Sequence, residues 1–233
     1  MGEVFFLVLL AVFVYLAIAV HELGHYLVLK RFGVRVRAVA FGGPPWVFRW
    51  KRGDTEFRVG LLPLFAFVEP EEWGLNRLPL WRFVAGLLAG PAANFGAALV
   101  GVLVLTLLQG GEAFVKGVNT VLFFPVILAE GVRALVQSGG DAVVGFRDFA
   151  EVSVTLMRQG VAQTVVLWVA LNTALGWFNL IPLPPLDGGQ AVARLFERYR
   201  WFTPVYRGVL VVGVGLNVLL LVLALLKDLG LWR

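Results

Sequence analysis

From Val4 to Leu29 the chain carries no charged side chain outside one short stretch, His21-Glu22-Leu23-Gly24-His25. A run of this length crosses the roughly 30 Å hydrocarbon core of a bilayer as a helix. Each ionisable group in such a helix costs about 2.5–3.5 kcal/mol by insertion scales, so a cluster of them needs a compensating role. At 3.6 residues per turn, His21 and His25 are about 40° apart around the axis and roughly 6 Å apart along it, so both imidazoles can reach one metal ion. In His-Glu-x-x-His hydrolases the histidines hold Zn²⁺ and the glutamate takes a proton from water. The competing reading is a hydrogen-bonded cluster that only packs helices together.

Hydrophobic residues make up 59% of the 233 and charged residues 15%, the balance of an integral membrane protein. The first 29 residues have no basic leader and no small-residue cleavage site, so they read as a first span rather than a signal peptide. With no cysteine there is no disulfide, thiolate ligand or cysteine nucleophile, and His21 and His25 are the only imidazoles. The net charge of +5 comes from basic residues beside apolar runs, which favours anionic lipid headgroups over nucleic acid as partners.

Four stretches are long enough to cross: about Val4–Leu29, Val84–Leu108, Val161–Ile181 and Gly208–Leu226. Val118–Ala129 is confined between Lys116 and Glu130 and contains Pro125, so it is expected to be interfacial or re-entrant. Asp141–Arg158 reads as an amphipathic segment, making 112–160 an interfacial region. Arginine and lysine crowd the first loop, from Lys30 to Arg58, and the loop after the third span, from Arg194 to Arg207. Both loops should face the cytoplasm, with both termini outside. In the first loop, Val34–Phe41, Trp46–Trp50 and Glu56–Val68 have strand-like composition, separated by Gly42-Gly43-Pro44-Pro45 and Arg52-Gly53-Asp54. The expected fold is thus an α-helical membrane protein of about four spans, with a small membrane-associated β-hairpin or sheet over about 34–68.

Two histidines leave a zinc site incomplete, because catalytic sites usually take three protein ligands. Asp187 stands out in the proline-broken segment Asn179–Gly189, since unwound backbone at membrane depth is tolerated only beside protein or a water-filled cavity. The first and third spans both enter from outside. They reach His21–His25 and Asp187 near their cytoplasmic ends, which brings the two motifs to one depth. Taken alone, Asp187-Gly188-Gly189 reads as a turn that ends the third span, and the histidine motif is what turns the reading to a ligand.

The chain resembles the site-2 protease family of intramembrane zinc metalloproteases. The resemblance rests on His21-Glu22-Leu23-Gly24-His25, Gly90-Pro91-Ala92-Ala93-Asn94 and the Asn179–Gly189 segment, and it extends over most of the chain. It implies that His21, His25 and Asp187 ligate one Zn²⁺ and that Glu22 is the general base. Asn179 and Asn94 are candidates for binding substrate, with helix packing as the alternative for each. The family also implies a β-hairpin that presents the substrate, here matched by Glu56–Val68. Phe65-Ala66-Phe67 stand there where many relatives have Gly-Gly-Tyr. The interval 109–160 is too short for the PDZ domain that many relatives insert, and no nucleotide-sensing extension is expected after the fourth span. The implied activity is hydrolysis of peptide bonds in or near transmembrane helices, in a bacterial cytoplasmic membrane. Substrates would be membrane proteins such as anti-sigma factors or signal-peptide remnants. A metal-binding transporter and a catalytically silent relative are the alternatives.

Overall fold

The computed structural model describes residues 2–63, 66–137, 145–197, 199 and 202–231. The elements run α1 (Glu3–Arg31), β1 (Val36–Phe41), β2 (Gly43–Arg52), β3 (Thr55–Leu62), β4 (Phe67–Pro70), α2 (Glu72–Asn76), α3 (Leu80–Gln109), α4 (Gly111–Gln137), α5 (Phe146–Arg158), α6 (Val161–Leu180), α7 (Asp187–Phe196) and α8 (Phe202–Asp228).

The centre is a bundle of α1, α3 and α6. Small residues at helical spacing on α3, among them Gly86, Ala89, Gly90, Ala98 and Gly101, are buried and let the backbones approach closely, as packing without a hydrophobic driving force requires. Leu10 packs with Leu167, and Phe13 meets Trp168 edge-on at 5.7 Å, so α1 and α6 run in the same direction. Trp168 Nε1 donates to Ala97 O at 3.0 Å, and Asn94 bonds both Ala17 O and Asn172, so α3 runs opposite to both.

Among the described residues, five helices are long and apolar enough to cross a membrane: Glu3–Arg31, Leu80–Gln109, Gly111–Gly131, Val161–Leu180 and Pro204–Asp228. The short patch expected at Val118–Ala129 is part of the 27-residue α4. The charges that bracket it do not end the helix, because Lys116 pairs with Glu112 and Glu130 with Arg133 along the helix surface. Pro125 cannot donate to Val121 O one turn earlier, but Trp177 Nε1 on α6 does so instead at 2.8 Å. Of the segment expected to be amphipathic, residues 141–144 lie outside the described residues and Phe146–Arg158 form α5. It buries Val154 and Met157 against Leu10 and Leu167, and leaves Arg147 and Glu151 exposed as a pair.

The sheet has the order β2-β3-β1-β4, with β1 parallel to β3 and antiparallel to β4. The expected Glu56–Val68 hairpin is therefore corrected: β3 and β4 are separate strands with β1 between them. The hairpin that does form is β2 with β3, closed at Arg52–Thr55. One face of the sheet packs on α1 through Val36, Val39, Phe41 and Phe57 against Leu29, with Leu23 and Tyr26 alongside. The Tyr15 hydroxyl lies 2.8 Å from Gly60 O and 2.7 Å from Leu61 O, donating to one at a time. The end of β3 thus reaches halfway along α1.

Candidate metal centre

His21, Glu22 and His25 lie on the buried side of α1, which faces α3 and the loop after α6. Each histidine is held by its Nδ1. His21 Nδ1 lies 2.6 Å from Asn94 Oδ1, and His25 Nδ1 lies 2.8 Å from Gly86 O. An oxygen acceptor at Nδ1 calls for a proton there, which leaves the lone pair of each neutral ring on Nε2. The two Nε2 atoms are 3.1 Å apart, and they lie 3.1 Å and 3.2 Å from Asp187 Oδ2.

Three electron-pair donors thus converge on one point, an arrangement that a cation satisfies. Zinc bonds of about 2.0 Å to tetrahedral nitrogen and oxygen ligands place those ligands about 3.3 Å apart. The triangle of His21, His25 and Asp187 has that size and that donor chemistry, so these residues fit a zinc ion.

The surrounding backbone makes room for the triangle. A Cβ at Gly90 on α3 would lie 2.3 Å from His25 Nε2 and 2.8 Å from His21 Cε1, so any side chain there would occupy the space of the imidazoles. The α6 helix runs to Leu180, the chain turns through Ile181–Leu186, and Asp187 opens α7 rather than sitting in a continuous loop to Gly189. A Cβ on Gly188 would lie 2.3 Å from Leu180 O. That close approach folds the start of α7 back against the end of α6 and delivers the carboxylate to the histidines.

A cavity of about 280 Å³ opens beside these groups. His21, Glu22, His25 and Asp187 form its polar end, and Ala66, Phe67 and Val68 form part of its wall. Asn179 also lines it, with its Nδ2 donating to Leu175 O at 3.0 Å. Of the residues expected to touch substrate, Ala66, Phe67 and Asn179 border the cavity, and Phe65 lies outside the described residues. Asn94 lies elsewhere: it is fully buried behind His21. Its expected role in binding substrate gives way to a supporting one. The sequence reading passed over Asn172, whose Oδ1 accepts from Asn94 Nδ2 at 2.9 Å. An isolated amide in the middle of an apolar span was the available signal.

Residues 8–223 match the family model described as peptidase family M50. Over 117 residues, or 45% of its length, the chain is 32% identical to the zinc metalloprotease Rip1 of Mycobacterium tuberculosis, covering 29% of that protein. It is 32% identical over 111 residues to Rip1 of Mycolicibacterium smegmatis, covering 40% of this chain and 27% of the relative. A Chlamydia pneumoniae relative is 26% identical over 176 residues, covering 64% of this chain and 28% of its own. The chain thus spans less than a third of the length of these relatives. With the family model covering nearly the whole sequence, the chain belongs to peptidase family M50, the site-2 protease family.

Proposed function

We propose that the protein is a zinc-dependent endopeptidase that hydrolyses peptide bonds in or near the transmembrane helices of membrane-protein substrates. The observation that carries this reading is the convergence of His21, His25 and Asp187 at the end of a cavity that Glu22 also lines. His21, His25 and Asp187 are the ligands. Bound zinc would polarise the scissile carbonyl and acidify the attacking water. Glu22 accepts a proton from that water and passes it to the leaving amine nitrogen. Asn179, at the cavity wall, has an amide oxygen available to the substrate backbone while its Nδ2 is held by Leu175 O.

A helical substrate hides its peptide bonds in its own hydrogen bonds, so it must be opened before attack. The β4 strand is an edge of the sheet, and residues Phe67, Val68 and Pro70 border the cavity. An extended substrate segment can add to such an edge through main-chain hydrogen bonds, which supports β4 as the presenting strand.

The direction of the helices supports four complete crossings by α1, α3, α6 and α8. Contacts of Gly117 with Val102 and of Phe124 with Phe178 make α4 antiparallel to α3 and parallel to α6. If α4 also crossed completely, the 138–160 interval would have to return across the bilayer. Its helix α5 has only 13 residues and a charged face, so α4 is better read as a helix that enters without completing a crossing. The basic loops favour a cytoplasmic site and outward termini in a bacterial inner membrane. Anti-sigma factors and signal-peptide remnants are the proposed substrate classes.

The test is cleavage of a transmembrane substrate by purified protein in lipid. Wild type should cleave, lose activity to a chelator and regain it with zinc, whereas Glu22→Gln should bind zinc and fail to cleave. Equal cleavage by the variant would sink the mechanism.

A further inference from the structure

Asn94 and Asn172 are both fully buried in the helical bundle, where an amide is costly and packing alone does not call for one. They form a hydrogen-bonded chain whose direction can be read from its ends. Asn172 Nδ2 donates to Trp168 O at 3.0 Å, and Asn94 Nδ2 donates to Ala17 O at 3.0 Å. Both termini are backbone carbonyls, which can only accept. Turning the Asn172 amide over would set its oxygen against Trp168 O and its nitrogen against Asn94 Nδ2. Turning over Asn94 would set its oxygen against both Ala17 O and Asn172 Oδ1. Neither flip is tolerated, so Asn94 Oδ1 must face His21, and His21 Nδ1 must be the donor.

We infer that Asn172 is a positioning residue of the metal centre: acting through Asn94, it holds His21 in the tautomer that directs the Nε2 lone pair at the metal. The inference rests on the metal-site reading above and adds to it a residue on a third helix that touches neither metal nor substrate. The relay joins α6, α3 and α1 at one depth, so the same bonds that fix the tautomer fix the register of the bundle. Removing the Asn172 oxygen takes away one of the two acceptors of Asn94 Nδ2 and leaves Ala17 O alone to hold the amide, which loosens the group facing His21.

The test is zinc affinity by chelator competition on the purified full chain in detergent, with the melting temperature of the zinc-free form measured alongside. Wild type, Asn172→Leu, Asn94→Leu and the double variant are compared. Each single variant should weaken zinc binding by about tenfold or more, as loss of a supporting partner does. The double variant should bind no more weakly than Asn94→Leu, because the relay is already cut. Multiplying effects in the double variant, or wild-type affinity in Asn172→Leu, would overturn the inference. Asn172→Asp, as a neutral carboxylic acid, donates its O–H to Trp168 O, keeps its carbonyl oxygen facing Asn94 Nδ2 and should stay within about threefold of wild type, since the relay's polarity is retained. A folded Asn172→Asp protein that loses zinc tenfold overturns it whether or not Asn172→Leu folds. Wild type that binds zinc but cleaves nothing would contradict the protease reading alone, and wild type that binds no zinc would overturn both.

Discussion

Asn94 Oδ1 lies 2.6 Å from His21 Nδ1, while Nε2 of the same ring faces Asp187 Oδ2 at 3.1 Å. One residue on α3 thereby orients a ligand on α1 toward a carboxylate supplied by α7. Supporting partners of this kind typically contribute 10–100-fold in metal affinity. Asn94→Ala should therefore weaken zinc binding by about 10–100-fold, measured by chelator competition, with a parallel loss of cleavage at limiting zinc.

Gly90 offers a sharper steric test. Gly90→Ala adds one methyl group, yet that carbon would lie 2.3 Å from His25 Nε2 and 2.8 Å from His21 Cε1, so the imidazoles themselves must shift. Zinc binding should fall more than about tenfold, on the scale of a displaced ligand. Gly96→Ala is the control. Nothing lies within 4 Å of a Cβ there, and the variant should bind zinc as wild type does.

Tyr15→Phe removes the hydroxyl that holds the end of β3 to α1. The net loss is about 0.5–1.5 kcal/mol, small against global stability but local to the sheet that carries β4. The expected outcome is a raised KM with kcat nearly unchanged on a transmembrane substrate. An unchanged KM would separate the sheet from substrate presentation.

The Trp177 Nε1 bond to Val121 O replaces the donor that Pro125 lacks. Trp177→Phe leaves that carbonyl without a donor and should destabilise the protein by about 1–3 kcal/mol. Pro125→Ala restores a backbone N–H to the same carbonyl. In the double variant it should recover part of the loss in thermal unfolding, whereas additive losses would show that the indole bond has no such role.

His21, Glu22 and His25 were legible because their geometry is local: the spacing along one helix sets which face they share. Asp187 was reached by a depth argument that required only the directions of two spans. The strand composition near 34–68 was also readable, but not the strand order. Placing β1 between β3 and β4 depends on pairings such as Ala40 with both Arg58 and Phe67, which no periodicity encodes. Likewise Val118–Ala129, with Pro125 inside it, read as a short patch rather than as part of the longer α4, because the indole that compensates for the proline lies 52 residues further along the chain on α6.

By itself, the sequence determined that the chain is a membrane protein carrying two imidazoles and a glutamate on one helix, since hydropathy and helical spacing are properties of neighbouring residues. Only the tertiary structure decided the polarity of the site. Which nitrogen of His21 carries the proton depends on Asn94. The orientation of Asn94 depends in turn on carbonyls at Ala17 and, through Asn172, at Trp168. A hydrogen bond takes its direction from the donors and acceptors at both its ends, and here those ends belong to three helices.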